Sequence, residues 1–140
     1  MALERTLFIV KPDAVQRNLI GRILAHVEAQ DFRLVEARLA QLTREEAQTF
    51  YAEHLGKPFF SDLVEYMTSG PVLLVCLERE GAVAELRQVV GSTDPAQAGP
   101  GTVRKLFGEN KQSNSVHASD SPASSEREVR FFFGTAALVR

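Results

Sequence analysis

The small number of strand-like segments constrains the fold of this chain more than any other feature of its sequence. Apolar, β-prone runs occur at only four places in the 140 residues, at 6–10, 32–42, 72–78 and 131–133. Amphipathic helical segments separate these runs, and four strands are too few for a doubly wound sheet of ordinary size. The pattern predicts an α+β protein of the ferredoxin-like plan, with a small sheet covered by helices on one face.

Amphipathic spacing and capping residues mark the helical segments. Between residues 20 and 27, apolar side chains recur on one helical face. Thr43 and Glu46 have the spacing of a capping box, and Ser121 is followed by a proline, which is typical of a helix start. The sequence therefore predicts helices over residues 20–27, 43–54, 61–67, 81–90 and 121–130.

A long aperiodic stretch, from residue 91 to about residue 121, lies between the last two predicted helices. Three glycines and two prolines fall within residues 91–101 alone. Long irregular loops inside compact domains are uncommon, and those that occur are usually functional. Neither an internal repeat nor an interdomain linker interrupts the chain, so we expect a single domain over residues 1–140.

Charge, cysteine count and the length of apolar runs exclude several classes of protein. Sixteen Lys and Arg against eighteen Asp and Glu give a formal net charge of -2, which argues against a nucleic-acid partner. The single cysteine, Cys76, rules out a disulfide framework and a cysteine-based zinc cluster. The longest aliphatic run, residues 72–77, is far shorter than the roughly 20 residues of a membrane-spanning helix. With no secretory signal either, we expect a cytoplasmic protein that does not enter a membrane.

Among the three histidines, His117 has the sequence context of a reactive group. It lies in the aperiodic stretch, just before a predicted helix whose N-terminal N–H groups favour anionic oxygens. Glu128 lies two turns into that helix and approaches His117 only if the loop folds back. A carboxylate there would fix the imidazole tautomer and leave the other nitrogen as a nucleophile. The alternative is that Glu128 is a solvated helix residue.

Three basic residues and one aromatic residue indicate how a nucleotide can bind. Lys11, Arg87 and Arg104 are either separate surface charges or, if they converge, a clamp for a polyphosphate. An exposed aromatic side chain at Phe59 can stack on a nucleobase, whereas core packing is the other interpretation. No Gly-x-x-x-x-Gly-Lys-Ser/Thr loop is present, which excludes a P-loop NTPase.

Residues 114–121, Asn-Ser-Val-His-Ala-Ser-Asp-Ser, resemble the active-site signature Asn-x-x-His-Gly/Ala-Ser-Asp of the nucleoside diphosphate kinases. Further motifs extend the resemblance over nearly the whole chain, in the right order and spacing. They lie at residues 4–6, 11–13, 54–60, 69–71, 91–95, 100–104 and 126–128. The resemblance implies a ferredoxin-like, four-stranded antiparallel sheet and a homo-oligomer, a tetramer or hexamer built on a common dimer.

The resemblance also assigns roles to individual residues. His117 would be the nucleophile that becomes phosphohistidine, Glu128 would hold its opposite ring nitrogen, and Ser119 would support Glu128. Tyr51 would lie near the histidine and the phosphate, and Phe59 would stack on the base. The implied contacts to phosphates or sugar are Lys11, Arg87, Thr93, Arg104 and Asn114.

The function implied by the resemblance is transfer of the γ-phosphate of a nucleoside triphosphate to a nucleoside diphosphate by a ping-pong mechanism. Mg²⁺ is expected on the nucleotide phosphates and not on protein ligands, because the sequence has no aspartate cluster suited to a metal. Two alternatives stay open. One is a non-catalytic nucleotide-binding or interaction module of the same fold, and the other is a ferredoxin-like domain that binds nucleic acid.

Three positions depart from the family pattern. Ala118 replaces the commoner glycine after the histidine, Arg79 stands where a glycine is frequent, and Ser92 replaces the usual alanine. None is an implied catalytic position. We therefore expect activity to be retained, while surface contacts and assembly are open to change.

Overall fold

One antiparallel sheet organises the chain, of which the computed structural model describes residues 3–138. Residues 1, 2, 139 and 140 of the predicted domain lie outside the described residues. The strands are β1 (Leu3–Val10), β2 (Arg33–Ala40), β3 (Val72–Glu80) and β4 (Val116–Ala118). Their order across the sheet is β2-β3-β1-β4, and each neighbouring pair is antiparallel. The predicted ferredoxin-like α+β fold is confirmed.

Seven short helices connect and cover the strands. They are α1 (Pro12–Gln16), α2 (Ile20–Glu28), α3 (Arg44–Phe50), α4 (Phe60–Met67), α5 (Ala82–Val90), α6 (Val103–Phe107) and α7 (Pro122–Phe133). Single 3₁₀ turns lie at Ala52–His54, Pro95–Gln97 and Thr135–Leu138. Across residues 3–138, no helix is both long enough and apolar enough to cross a membrane.

The sheet carries a hydrophobic core on each of its two faces. In β1, Phe8 and Val10 contribute to one core while Leu7 and Ile9 contribute to the other, and all four are fully buried. Helices α2 and α5 cover the first core, and α3, α4 and α7 cover the second. The prediction of one covered face was therefore wrong, because alternate residues of the central strands are apolar in both directions.

The helix starts follow the capping residues of the sequence. Thr43 Oγ1 accepts the Glu46 N–H at 3.0 Å, and Glu46 Oε1 accepts the Thr43 N–H at 2.9 Å, which completes the predicted capping box of α3. Ser121 Oγ accepts the Ser124 N–H at 3.1 Å at the start of α7. Helix α3 nevertheless ends at Phe50, and a separate 3₁₀ turn covers the rest of the helix predicted over 43–54.

Two predictions for the C-terminal half were wrong. Residues 131–133 are the last turn of α7 and not a strand, because the helix continues past residue 130. The fourth strand is β4, which lies inside the stretch predicted to be irregular, as α6 also does. Strand β4 pairs with the end of β1, so that His117 lies opposite Ile9, close to where Lys11 follows that strand.

Candidate active site

A short chain of hydrogen bonds holds the imidazole of His117. His117 Nε2 lies 2.9 Å from Glu128 Oε1, and Ser119 Oγ donates to the same oxygen at 2.6 Å. The side chain of His117 keeps 19% of its surface exposed, whereas that of Glu128 keeps 7%. Glu128 reaches the histidine because β4 and the turn after it bring α7 back across the edge of the sheet.

Glu128 is ionised in this setting. Burial raises the pKa of its carboxyl, but the hydrogen bond and charge of His117 together with the Ser119 hydroxyl lower it further, and its pKa lies below the ordinary value. An ionised carboxylate only accepts hydrogen bonds. Nε2 of His117 is therefore the nitrogen that carries a proton, so that in the neutral imidazole the lone pair lies on Nδ1.

Aromatic side chains surround the other side of the imidazole. The ring of Phe50 packs edge-on against His117 with centroids 5.2 Å apart, and the ring of Tyr51 lies at 6.4 Å. The Tyr51 hydroxyl is buried and has no hydrogen-bond partner among the described residues. Burial and the nearby Glu128 charge raise the pKa of this phenol, so it stays protonated and available as a donor.

The Lys11 ammonium group lies at the end of β1, held by a buried amide. Lys11 Nζ donates to Asn114 Oδ1 at 2.9 Å. The amide nitrogen of Asn114 donates in turn to the carbonyls of Thr93 and Lys111, at 2.9 and 3.0 Å. This bonding orients Asn114 and the ammonium group without neutralising the lysine charge.

Burial dominates the titration of Lys11. It lowers the pKa of the ammonium group to about 7, and the Arg104 charge acts in the same direction, while Asp13 opposes both. Near neutral pH the group therefore lies close to its midpoint of protonation. An anion that binds beside Lys11 favours the charged form and raises its pKa.

Two arginines complete the cationic side of the site. Arg104 donates to the carbonyls of Gly91 and Val116, at 3.1 and 2.8 Å, and Arg87 donates to the Ala118 carbonyl at 3.2 Å. Burial and the Arg87 charge lower the pKa of Arg104 to about 10, which still leaves it charged at neutral pH. Neither arginine forms an ion pair with any carboxylate of residues 3–138.

These side chains line one cleft of about 670 Å³, a volume typical of small-molecule sites. Phe59 stands at the cleft with 47% of its surface exposed, and its ring lies 5.3 Å from that of His54. In the part of the chain that the structure describes, no three His, Cys, Asp or Glu side chains converge to hold a metal ion. The cationic donors Lys11, Arg87 and Arg104 are suited to phosphate oxygens, and the Nδ1 atom of His117, when it bears a lone pair, to attack on phosphorus.

Comparison with known proteins assigns the family. The family model described as Nucleoside diphosphate kinase matches residues 4–138. The chain belongs to the nucleoside diphosphate kinase family. A nucleoside diphosphate kinase of Sorangium cellulosum is 52% identical over 133 residues, which are 95% of this chain and 92% of that protein. Another, from Persephonella marina, is 48% identical over 139 residues, 99% of each chain.

Solved structures of the nucleoside diphosphate kinase family share the fold. A crystal structure of the Aquifex aeolicus nucleoside diphosphate kinase has a TM-score of 0.94 at 41% identity and covers 99% of this chain and 100% of its own. The Halobacterium salinarum enzyme, solved in complex with CDP, has a TM-score of 0.94 at 40% identity, with 99% and 93% covered. The family predicted from the sequence is confirmed, and the chain is a phosphotransferase of this family.

The structure brings together all ten residues to which the resemblance assigns roles. Ser119 lies behind the cleft, where it is fully buried and bonded to Glu128. The other nine line the cleft, and they are Lys11, Tyr51, Phe59, Arg87, Thr93, Arg104, Asn114, His117 and Glu128. The interpretation of Glu128 as a solvated residue was therefore wrong, and so was that of Lys11 and Arg104 as surface charges, because all three are buried. Arg87 is exposed, as a surface charge would be, although it also lines the cleft. The catalytic roles themselves stay predictions.

Several lining residues were missed by the sequence reasoning. Phe50 contacts His117, and Leu63, Gln112 and Asp120 also line the cleft. Asp120 had a sequence signal, since it follows Ser119 within the histidine motif. The apolar character of Phe50 and Leu63 indicated only a helix interior, so no signal distinguished them from core residues.

Proposed function

We propose that the chain moves the γ-phosphoryl group of a nucleoside triphosphate to a nucleoside diphosphate in two steps, through a phosphohistidine on His117. One observation carries this proposal, the 2.9 Å hydrogen bond between His117 Nε2 and Glu128 Oε1. It keeps the proton on Nε2 and directs the Nδ1 lone pair to the substrate. Glu128 also stabilises the positive charge that the imidazole ring gains when Nδ1 is phosphorylated.

In the first step, the Nδ1 lone pair forms a bond to the γ-phosphorus in line with the leaving oxygen. The bond between this phosphorus and the β,γ-bridging oxygen breaks, and its electron pair leaves with the nucleoside diphosphate. A second diphosphate then attacks the phosphohistidine and reverses the step, which restores neutral His117. Since phosphoryl transfer depends mainly on positioning and on charge stabilisation, the protein needs no further acid or base.

Lys11, Arg87 and Arg104 supply the charge stabilisation in this proposal. Their hydrogen bonds run to carbonyl or amide oxygens, so their charges remain available to phosphate oxygens. Mg²⁺ enters as part of the substrate, because the nitrogen donors of the cleft are suited to phosphates and not to a cation. Thr93 and Asn114 complete the contacts to phosphate or sugar, and Tyr51 donates its hydroxyl near the phosphate.

The substrates we propose are nucleoside tri- and diphosphates with any common base. Phe59 stacks on the base face, and every base has such a face. The CDP complex of the Halobacterium salinarum relative supports a diphosphate as ligand. A single domain over residues 1–140, a tetrameric or hexameric assembly and a cytoplasmic location stay predictions, and light scattering after size-exclusion chromatography tests the assembly.

Labelling with γ-³²P-ATP in the absence of a second nucleotide tests the covalent step. The protein should acquire an acid-labile, base-stable label, and peptide mapping should locate it at His117. The His117→Ala variant should acquire no label and should lose exchange activity. As a matched control, His26→Ala changes a histidine of α2 that does not line the cleft, and it should label like the wild type.

Several outcomes would contradict the proposal. A non-catalytic module of the same fold would bind ADP but show neither label nor exchange. A label on serine, or exchange that survives in the His117→Ala variant, would move the chemistry to another residue. Parallel initial-rate plots for two substrates are expected, whereas intersecting plots would indicate direct transfer in a ternary complex.

A further inference from the structure

We infer that Gly91 is a positioning residue for Arg104, and that the lack of a side chain at residue 91 keeps this arginine directed into the cleft. The inference rests on the proposed function in one respect, the phosphate contact of Arg104. Gly91 itself touches no substrate in this scheme. It acts through its carbonyl oxygen and through the space that it leaves for α6.

The backbone of Gly91 joins the two elements that carry the arginines. Its N–H donates to the Arg87 carbonyl at 3.0 Å, at the C-terminal end of α5. Its carbonyl oxygen accepts from Arg104 Nη1 at 3.1 Å. A guanidinium group on α6 is thereby fixed relative to the end of α5.

The space beside the Cα atom of Gly91 leaves no room for a side chain. A Cβ atom at residue 91 would lie 2.7 Å from Thr102 Oγ1, 2.8 Å from Thr102 Cβ and 3.1 Å from Thr102 Cγ2. Rotation of the threonine side chain cannot relieve the contact with its own Cβ atom. The backbone of Gly91 also has φ +89°, in the region that favours glycine.

Thr102 transmits any displacement directly to Arg104. It is the N-cap of α6, where its Oγ1 accepts the Lys105 N–H at 3.3 Å and donates to the Gly99 carbonyl at 2.8 Å. Arg104 lies two residues later, in the first turn of the same helix. A side chain at residue 91 would therefore push away the start of the helix that carries this arginine.

Carbonyl oxygens suit this task because they orient a cation without cancelling its charge. Arg87 and Arg104 repel one another, and the charge of Arg87 contributes to the lowered pKa of Arg104. A carboxylate would hold Arg104 more strongly but would compete with phosphate for it. The carbonyls of Gly91 and Val116 fix two of its nitrogens and leave a net positive charge facing the cleft.

Binding of ADP to the Gly91→Ala variant tests the inference, with Gly101→Ala as the matched control. Gly101 also has a positive φ, +81°, but a Cβ atom there would meet nothing within 4 Å. The Kd for ADP, measured by calorimetry, should rise about tenfold or more in Gly91→Ala, as expected for loss of a charged hydrogen bond. It should change less than about threefold in Gly101→Ala. Equal effects would overturn the inference, because backbone strain alone would then explain them.

A double-mutant cycle separates positioning from a general loss of structure. In the Arg104→Ala background, Gly91→Ala should weaken ADP binding by no more than about a further twofold, because its effect runs through the missing side chain. Full additivity of the two changes would overturn the inference. ADP binding involves no phosphoryl transfer, so this result is independent of whether His117 becomes labelled.

A compensating change keeps the test decisive if Gly91→Ala does not fold. Thr102→Gly removes all three atoms that a Cβ at residue 91 would meet. Adding Gly91→Ala to Thr102→Gly should then cost no more ADP affinity than Gly101→Ala costs in the wild type. A loss of tenfold or more in this relieved background would show that contact with Thr102 is not the cause.

Discussion

The two ends of the cleft are built in different ways. One group of lining side chains, which we call the phosphate end after the role proposed for it, comprises Lys11, Arg104, Asn114 and His117, the first three of them buried and each of them hydrogen-bonded. The other, which we call the base end after its proposed role, is Phe59, which is half exposed and whose ring lies 5.3 Å from that of His54 and 5.8 Å from the ammonium nitrogen of Lys57.

This difference indicates which part of a ligand the site can discriminate. Buried, bonded side chains recognise one geometry, because moving them breaks hydrogen bonds that water cannot replace. A half-exposed ring offers a face of fixed chemistry but no donors or acceptors aimed at a base edge. We therefore expect the site to be strict for the polyphosphate and permissive for the base.

Removal of the Arg104 side chain, at the phosphate end, should have the largest effect on kcat/KM. Arg104→Ala removes a buried positive charge from the phosphate end, and kcat/KM should fall by about a thousandfold, as for other groups that stabilise transition-state charge. Arg130 provides the matched control, since its side chain is 51% exposed and pairs at 2.7 Å with Glu126, outside the cleft. Its replacement by alanine should change kcat/KM less than about threefold. Similar losses in both variants would show that net charge matters and burial does not.

The titration of Lys11 should make binding at the phosphate end depend on pH. With a pKa of about 7 in the free protein, Lys11 loses its proton as the pH rises, and ADP must restore it on binding. The Kd for ADP should therefore rise about eightfold from pH 7.5 to 8.5, with proton uptake detectable by calorimetry in buffers of different ionisation enthalpy. The Lys11→Met variant should show weak binding with little of this pH dependence. A wild-type Kd that is constant over this interval would contradict the assignment.

The same lowered pKa has a consequence for stability, with a sign that follows from linkage. The unfolded chain binds the Lys11 proton up to its ordinary pKa of 10.5, whereas the folded chain releases it near 7. Between these values the unfolded state holds more protons, so this group makes the free energy of unfolding increase with pH. Denaturant titrations at pH 7 and 9 should show that increase in the wild type and a smaller one in Lys11→Met.

The sequence predicted most of the elements around the phosphate end, but it did not predict strand β4, which carries His117. Strands β1 and β3 are long apolar runs, and the cap of α7 is explicit at Ser121. Strand β4 has only three residues, one of them His117, which is too short to show an alternating pattern. Its pairing with β1 is a long-range contact that no local signal contains. Without the family resemblance, the convergence of His117 and Glu128 had no support from spacing alone.

The aromatic run at residues 131–133 is the reverse case, a strand that was predicted but is absent from the structure. Three consecutive phenylalanines fit a strand by propensity, and so short a run cannot separate a period of 2 from one of 3.6. In the structure Phe132 is buried in a core on one face of the sheet while its neighbour Phe131 is 41% exposed, because successive helical residues point about 100° apart. The helical state prevails because α7 starts at the Ser121 cap, ten residues before Phe131, and has no breaker before Gly134.

Replacement of the aromatic ring at the base end should have a modest effect. Phe59→Ala removes one stacking face that is half exposed, so KM should rise roughly fivefold, near the lower limit for base–aromatic stacking. The increase should be similar for ADP and CDP, within about threefold, because no base edge is read. Leu106→Ala, at a side chain that is 53% exposed and outside the cleft, should leave KM unchanged. A loss confined to one base would show that the base end is selective after all.

The capping box of α3 should affect stability but neither end of the cleft. Thr43→Ala removes the oxygen that accepts the Glu46 N–H, and the free energy of unfolding should fall by about 1 kcal/mol. Thr49→Ala is the matched control, the same change at an exposed position of the same helix, where alanine favours the helix slightly. KM and kcat should match the wild type in both variants at temperatures well below unfolding. Helix α3 ends at Phe50, and both Phe50 and the next residue, Tyr51, line the cleft. A change in KM for Thr43→Ala alone would therefore mean that the start of this helix helps to position the phosphate end. The rigid part of the site would then extend well beyond the cleft.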